Sequence, residues 1–391
     1  MDDMNQDLNI FNSNENDNNY INDINSENYI NSSDNDVEQN SEDSNDEIFN
    51  NEIIHKYKKE NYKIKDIISI LMKSNLLNNQ VNCSKCNNIM KLIENKTYAD
   101  EYVWRCFKKG DNKHDIKQNI RVNSIFEDVK TDIRLLYFII FENFIYNFSI
   151  NTVYKNCKEF SRDIEIKFIS RNYLGKIYMI IRNKIMKKMH KLWNLNNMAV
   201  EPCLDGKSKI EIDESKFITY DGSVRWMFGL VDRAKYDIRV FYVNDNRQKE
   251  TLLPIVKNNV YTIPERVYNN EDGNNINLPT RIYSDCFQSY QESDFNQLGF
   301  ILHRINHSLW FAQGSFHTNT IEGVWSRLKR LTYNFCGISG FTLKKFAEKG
   351  INVNDYANGI ICSGLFFMEC EHKNLGINGK KNLLVEYLKY D

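Results

Sequence analysis

Lysine and arginine are absent from residues 1–54, although the chain of 391 residues contains 51 of them. This segment holds 15 of the 52 acidic side chains, which leaves 51 basic and 37 acidic groups in residues 55–391. It consists mainly of Asn, Asp, Ser and Glu, with too few large apolar side chains to offset chain entropy by burial. We therefore predict a disordered acidic tail, followed by a basic body that favours a polyanionic partner. The tail either competes with that partner or only keeps the protein soluble.

Long apolar runs are also missing from the sequence. The most apolar segment, LLYFIIFENFIYNF at 135–148, is interrupted by Glu142 and Asn143 and is typical of a buried helix. The first residues are polar and acidic and lack the apolar region of a secretory signal. Nine cysteines, an odd number spread along the chain, favour a reducing compartment with metal-bound or free thiols. We expect a soluble intracellular protein without a membrane partner.

One group of cysteines has the spacing of a metal site. Cys83 and Cys86 form a C-x2-C knuckle, and Cys106 and His114 follow in the pattern C-x19-C-x7-H. Two such pairs can complete the tetrahedral coordination of one structural Zn²⁺. A short polar segment with a small core needs such a crosslink to fold. The pattern predicts a zinc ribbon over 81–123, and ordinary free thiols are the alternative.

Helical periodicity dominates the segments on either side of this ribbon. Residues 55–80 contain apolar side chains at helical spacing and predict a helical lead-in. Residues 124–200 predict a helical bundle, similar to a helix-turn-helix, that binds DNA. Its basic face would comprise Lys184, Lys187, Lys188, His190 and Lys191. The alternative is a connecting helical domain whose basic face is merely solvated.

Alternating strands begin near residue 207, and the predicted order of elements over 205–372 is β-β-β-α-β-α-β-α. In KIEIDESKF, Ile210 and Ile212 should face one side of the first strand, and Glu211 and Asp213 the other. Glu214 should then face away from Asp213, which gives it a secondary role. Residues 258–279 predict a polar loop, and residues 373–391 a C-terminal tail.

Three elements of this predicted order each carry a candidate carboxylate. Asp213 lies on the first strand, Asp285 ends the fourth strand and Glu322 lies on the late helix. The order is that of the ribonuclease H-like fold used by DDE transposases and integrases, in which the first and fourth strands are neighbours. We therefore predict an α/β protein with a mixed-sheet catalytic domain. Converging carboxylates suit two Mg²⁺ or Mn²⁺ ions, which activate a nucleophile and stabilise the leaving oxygen.

Four motifs closely resemble the ISXO2-like transposase domain of IS1016-type bacterial insertion sequences and of their eukaryotic relatives, the Merlin transposons. They are IEIDESKF at 210–217, IYSDCFQSY at 282–290, RINHSLWF at 304–311 and HTNTIEGVWSRLKR at 317–330. The segment from WRC to IRVNSIFED at 104–128 also resembles the zinc-ribbon region of these transposases. The resemblance covers roughly residues 80 to 372. His114 departs from it, because the relatives usually have Cys there, but His is a competent zinc ligand.

The resemblance implies that Asp213, Asp285 and Glu322 bind the two metal ions and that Lys329 contacts a DNA phosphate. Helical geometry agrees, because Glu322, Ser326 and Lys329 share one face of a helix. Asn319 remains an alternative third ligand or an auxiliary residue. In the structural alternative, Asn319 is the N-cap of the helix and Glu322, three residues later at position N3, is its partner in a capping box.

The resemblance also implies an activity and partners. We expect a transposase that cuts the ends of a transposon and joins them to target DNA by transesterification, as a homo-oligomer in a synaptic complex. His307 and His317 are expected to border the active site. An acidic low-complexity tail is typical of eukaryotes, for which we expect a nuclear location, and otherwise a cytoplasmic one. The alternatives are a domesticated DNA-binding protein without catalysis and a zinc-ribbon transcription or RNA-binding factor.

Overall fold

A computed structural model describes residues 56–110, 112–199, 209–218, 224–244, 246–261, 267–269, 275–277, 279–306, 317–333 and 352–389. The predicted acidic tail at 1–54 and His307 lie outside the described residues. The described chain is a mixed α/β structure with a three-stranded sheet, a group of helices and a five-stranded sheet.

The predicted lead-in and ribbon form the first part of this structure. Helix α1 (Ile64–Lys73) buries its apolar side chains at helical spacing, as predicted. Strands β1 (Lys91–Glu94), β2 (Tyr102–Lys108) and β3 (His114–Asn119) then form an antiparallel sheet in the order β1-β2-β3. A buried ion pair between Arg121 and Asp100 follows this sheet, and Arg121 also donates to the carbonyls of Val129 and Thr131. It fixes the ribbon to the helical segment.

Three helices follow, and each starts at a polar capping residue. Helix α2 (Ile133–Phe141), α3 (Ile150–Asp163) and α4 (Arg171–Leu195) begin after Asp132, Ser149 and Ser170, whose side chains accept backbone N–H bonds. The apolar run at 135–148 is not one helix, because α2 ends before Glu142 and a 3₁₀ turn occupies Phe144–Tyr146. Among the described helices, none combines the length and apolar character needed to cross a membrane.

Helix α4 belongs to a core that it shares with the C-terminal helices. It packs along α8 (Val353–His372) and α9 (Ile377–Leu388). Helix α9 lies in the segment predicted to be a C-terminal tail, and this prediction is corrected by its buried Leu384, Val385 and Leu388. Their spacing follows one helical face, which is the signal that the sequence contained.

The five-stranded sheet has the order β10-β9-β4-β5-β6. Its strands are β4 (Lys209–Ile218), β5 (Val224–Asp232), β6 (Asp237–Asn244), β9 (Arg281–Asp285) and β10 (Ile301–Ile305). Strands β4, β5 and β6 are antiparallel neighbours, whereas β9 is parallel to both β4 and β10. The predicted adjacency of the first and fourth strands is confirmed.

Helices α5 (Lys249–Asn259), α6 (Glu292–Gln297) and α7 (Asn319–Tyr333) complete the predicted order. A short hairpin of β7 (Val267–Asn269) and β8 (Asn275–Asn277) lies in the segment predicted to be a loop. Ile210 and Ile212 pack on the face that shares its core with α5 and α6. Glu211 and Asp213 contact α7 on the other face, so the predicted alternation is confirmed.

Candidate functional site

Strand register places Asp213 and Asp285 at the same level of the sheet. Strands β4 and β9 run parallel, and Glu211 lies opposite Tyr283 in their register. Two residues further on each strand are Asp213 and Asp285, which share the face of Glu211 because side chains alternate. The two carboxylates thus lie on neighbouring strands where β9 ends.

Trp325 on α7 fixes the orientation of Asp213. Its indole Nε1 donates a hydrogen bond to Asp213 Oδ2 at 2.9 Å. Gly229 on β5 lies directly opposite Asp213 in the sheet register. A Cβ atom at Gly229 would lie 2.7 Å from two atoms of the Trp325 ring. Glycine at this position therefore allows the tryptophan to approach the sheet closely enough to reach Asp213.

The charges around Asp213 create a site that favours a cation. Burial raises the pKa of Asp213 to about 7, and the nearby Asp285 and Glu322 raise it as well. Burial likewise raises the pKa of Glu214 to about 8, with contributions from Asp213 and Asp285. Its Oε1 is buried and has no hydrogen-bond partner among the described residues. Glu214 follows Asp213 directly on β4, so alternation directs its side chain to the opposite face, and its secondary role stays a prediction.

Helix α7 presents the two faces that were predicted. Its apolar side chains are buried, whereas Glu322, Ser326 and Lys329 are exposed. The buried side chains are Ile321, Val324, Trp325 and Leu328. The Lys329 ammonium lies 5.6 Å from the centre of the Phe217 ring. Partial burial lowers the pKa of Lys329, while the negative charge of Asp213 opposes this effect.

The start of α7 differs from the capping box considered in the sequence. Because the helix begins at Asn319, this residue lies inside it and Glu322 is its fourth residue. The Thr318 hydroxyl donates to Glu322 Oε1 at 3.3 Å, and the Glu322 N–H donates to the Thr318 carbonyl at 3.2 Å. The Asn319 side chain is exposed. Glu322 therefore lies in the first turn of α7, but it does not form a capping box with Asn319.

A cluster beside these acids, on the same face of β4, was not predicted from the sequence. The buried Glu211 carboxylate accepts from Arg233 Nε at 2.6 Å and from the Ile321 backbone N–H at 2.8 Å. Arg233 also donates to the His317 carbonyl, and His317 Nδ1 lies 3.6 Å from Glu211 Oε1. Burial and the charge of Arg233 lower the pKa of His317. The sequence signal that could have indicated this cluster is Glu211, an acidic residue in the middle of a strand and on the same face as Asp213.

The ribbon brings its four predicted ligands together. Cys86 Sγ lies 3.6 Å from Cys106 Sγ, and His114 Nε2 lies 3.6 Å from Cys83 Sγ and 3.3 Å from Cys106 Sγ. Zinc–ligand distances of about 2.1–2.3 Å imply tetrahedral ligand separations of about 3.5–3.8 Å, so two of these three separations match a Zn²⁺ site and the third is slightly shorter. His114 Nδ1 lies 2.7 Å from the Asn112 carbonyl, an outer contact that leaves Nε2 for the metal. The predicted Cys3His cluster is confirmed as a site that can hold zinc.

Among the described residues, the Cys3His cluster is the one group of three or more His, Cys, Asp or Glu side chains whose ligand atoms all lie within 4.8 Å of one another. The carboxylates of Asp213, Asp285 and Glu322 are therefore more widely spaced than the ribbon ligands. Register and electrostatics place them around one site, but they do not converge as tightly as a filled ligand shell.

Basic side chains line the outer face of the ribbon sheet. Arg105 lies between Lys91 and Lys117 in the cross-strand register, and both lysines are exposed. Phe107, two residues along β2, is 52% exposed, and Arg105 lies over its ring at 5.2 Å. Like charges on directly opposed residues destabilise a sheet. Asp115 forms an ion pair with Arg105, which offsets part of the positive charge of these three residues. We call Lys91, Arg105, Phe107 and Lys117 the ribbon face.

The basic face predicted for α4 is narrower than expected. Lys187 and Lys191 are exposed, whereas Lys184 and Lys188 are partly buried. His190 packs against Trp193 with ring centres 5.0 Å apart, and burial lowers its pKa. His190 is therefore partly buried, and its ring packs against Trp193 instead of extending from the predicted basic face.

Comparisons with known proteins find one transposase-like relative. An uncharacterized transposase-like protein of Haemophilus influenzae is 33% identical over 93 residues, which are 24% of this chain and 61% of that protein. No family model matches the chain. The cryo-EM structure of a simian T-cell lymphotropic virus intasome in complex with PP2A regulatory subunit B56 gamma matches 42% of this chain and 49% of that chain. Its 12% identity and TM-score of 0.26 are too low to carry an argument.

Proposed function

We propose that the protein is a DDE transposase with a ribonuclease H-like catalytic domain, which cuts transposon ends and joins them to target DNA. The observation that carries this proposal is that Asp213 and Asp285 lie at the same level on parallel neighbouring strands, with α7, which carries Glu322, packed against Asp213. The sheet order and the transposase-like relative support it.

In this proposal Asp213, Asp285 and Glu322 hold Mg²⁺ or Mn²⁺, because carboxylate oxygens suit these ions. Burial raises the pKa of Asp213, and the negative charges of Asp285 and Glu322 raise it further, so a cation would stabilise the ionised carboxylate. The ions supply an activated nucleophile and stabilise the leaving oxygen. The chain itself orients Asp213 through the Trp325 N–H bond. Lys329, one heptad beyond Glu322, contacts the phosphate beside the cut.

The experiment that tests this proposal is strand cleavage of duplexes carrying the terminal repeats that flank the gene. We expect Mg²⁺-dependent nicks at the repeat ends and, with target duplex present, joined products. A chelator should abolish both products. Cleavage that is independent of divalent ions, or equal on scrambled duplexes, would contradict the proposal.

A second candidate is a DNA-binding protein that has lost catalysis. The exposed basic side chains of the ribbon face suit DNA binding in either case, so this alternative differs from the transposase only in lacking metal-dependent cleavage. Tight binding of the terminal repeats without any metal-dependent cleavage would select it over the transposase.

We propose that double-stranded DNA contacts the ribbon face, where basic side chains surround an exposed aromatic ring. The double variant Lys91→Ala/Lys117→Ala should weaken duplex binding. The negative slope of log K against log salt should become less steep by roughly 2, because two phosphate contacts are lost. The measurement is fluorescence anisotropy across a salt series. The matched control is Lys63→Ala/Lys96→Ala, which removes two exposed lysines outside the ribbon face. Equal slopes for the two double variants would show that the ribbon face does not contact DNA.

The acidic segment 1–54 should weaken DNA binding by competing for the basic body. A chain that starts at residue 55 is expected to bind random duplex more tightly at low salt, with the difference disappearing at high salt. Replacing the acidic residues of the segment by Asn and Gln controls for its length. An unchanged affinity and salt slope would show that the segment is a passive solubiliser.

A further inference from the structure

Glu211, Arg233 and the first turn of α7 are joined by contacts that the proposed catalysis does not itself use. The Glu211 side chain is fully buried and that of Arg233 is 10% exposed. Burying two charges is unfavourable unless their geometry and remaining hydrogen bonds are satisfied. Here one Glu211 oxygen contacts Arg233, and the other accepts the Ile321 N–H.

The bond to Ile321 caps α7 from another element. The first N–H groups of a helix lack partners within it, and a carboxylate there is also favoured by the helix dipole. The capping oxygen comes from β4, so the start of α7 is fixed to that strand. Arg233 adds a second attachment by donating to the His317 carbonyl, which precedes the helix.

Each member of this cluster either lies near a proposed metal ligand in sequence or contacts a residue that does. Glu211 precedes Asp213 by two residues on β4, and Ile321 directly precedes Glu322 on α7. Arg233 lies over the buried ring of Tyr283 at 4.4 Å, and Tyr283 precedes Asp285 by two residues on β9. The cluster therefore contacts all three elements that carry the acids, β4, β9 and α7.

We propose that Glu211 and Arg233 are positioning residues that set the distance of Glu322 from Asp213 and Asp285. The proposal rests on the proposed function, in which those acids hold the metal ions. The acids repel one another and leave a wide site, so a fixed α7 is needed to keep Glu322 within reach of a shared ion. Glu211 and Arg233 contact neither ion nor DNA in this role.

The test uses Glu211→Gln in the full chain, which keeps the shape of the side chain but removes its charge from Arg233. We expect the Mg²⁺ concentration for half-maximal cleavage to rise roughly tenfold, with the rate at saturating Mg²⁺ within about twofold. Hydrogen exchange at the Ile321 amide should accelerate, because its acceptor is weakened. The double variant Glu211→Gln/Arg233→Gln removes the unpaired buried charge and serves if the single variant does not fold.

The matched control is Asp100→Asn, which breaks the buried ion pair with Arg121 far from α7 in the chain. It should lower thermal stability without changing the Mg²⁺ requirement or exchange at Ile321. Equal shifts in the two variants would overturn the positioning role and leave only a structural one. If the unaltered protein does not cleave DNA, the proposed function fails. Hydrogen exchange at the Ile321 amide then tests by itself whether Glu211 positions α7. Faster exchange confined to the Glu211 variants then supports the positioning role, and unchanged exchange overturns it.

Discussion

Asp213→Asn, Asp285→Asn and Glu322→Gln should each reduce strand cleavage by about a thousandfold or more while leaving folding and DNA binding nearly intact. Each change keeps the size and polarity of the side chain but removes one negative charge from the proposed metal site. Losing a ligand costs several kcal/mol of transition-state stabilisation, and each 1.36 kcal/mol is about tenfold in rate. The measurement is single-turnover cleavage of terminal-repeat duplexes at saturating protein.

Glu292→Gln is the matched control, because Glu292 is an exposed acid in the first turn of another helix, α6. It should cleave at the unaltered rate. Asn319→Ala decides the identity of the third ligand. If Asn319→Ala is inactive while Glu322→Gln cleaves normally, Asn319 is the third ligand and Glu322 has a structural role.

Replacing a zinc ligand should have the second large effect. Cys106→Ala removes a buried thiol from the centre of the ribbon, where it contacts both Cys86 and His114. The variant should lose its zinc, and the ribbon should unfold, because metal-binding free energy is folding free energy for such a segment. The measurements are zinc content by mass spectrometry and proteolysis between residues 81 and 123.

Cys286→Ala is the control for this substitution, since Cys286 is exposed and lies outside the ribbon. It should retain one zinc per chain and the proteolytic pattern of the unaltered protein. A Cys106→Ala protein with full zinc content, or with an intact ribbon after zinc loss, would show that these are ordinary thiols.

Local patterns predicted the parts of this structure that depend on nearby residues. Alternation placed Glu211 and Asp213 on one face of β4, and helical spacing placed Glu322 and Lys329 on the exposed side of α7. Cysteine spacing predicted the four ribbon ligands. In each case, side-chain direction follows directly from the backbone period.

Contacts between distant elements were not predictable in this way. Arg233 lies in a turn after β5, and nothing in its sequence neighbourhood indicates that it pairs with Glu211. The requirement for Gly229 appears only when Trp325 approaches from α7. Likewise, His190 follows the basic spacing of α4, yet its ring packs against Trp193. Such contacts depend on how the helices pack on the sheet.

Titration with Mn²⁺, followed by the electron paramagnetic resonance signal of the free ion, tests the central claim most directly. If Asp213, Asp285 and Glu322 form one divalent-metal site, the zinc-loaded protein with terminal-repeat DNA should bind about two Mn²⁺ per chain. The triple variant Asp213→Asn/Asp285→Asn/Glu322→Gln should lose this binding and retain its zinc. Equal Mn²⁺ binding by the triple variant would contradict the account, because the ions would then be held elsewhere.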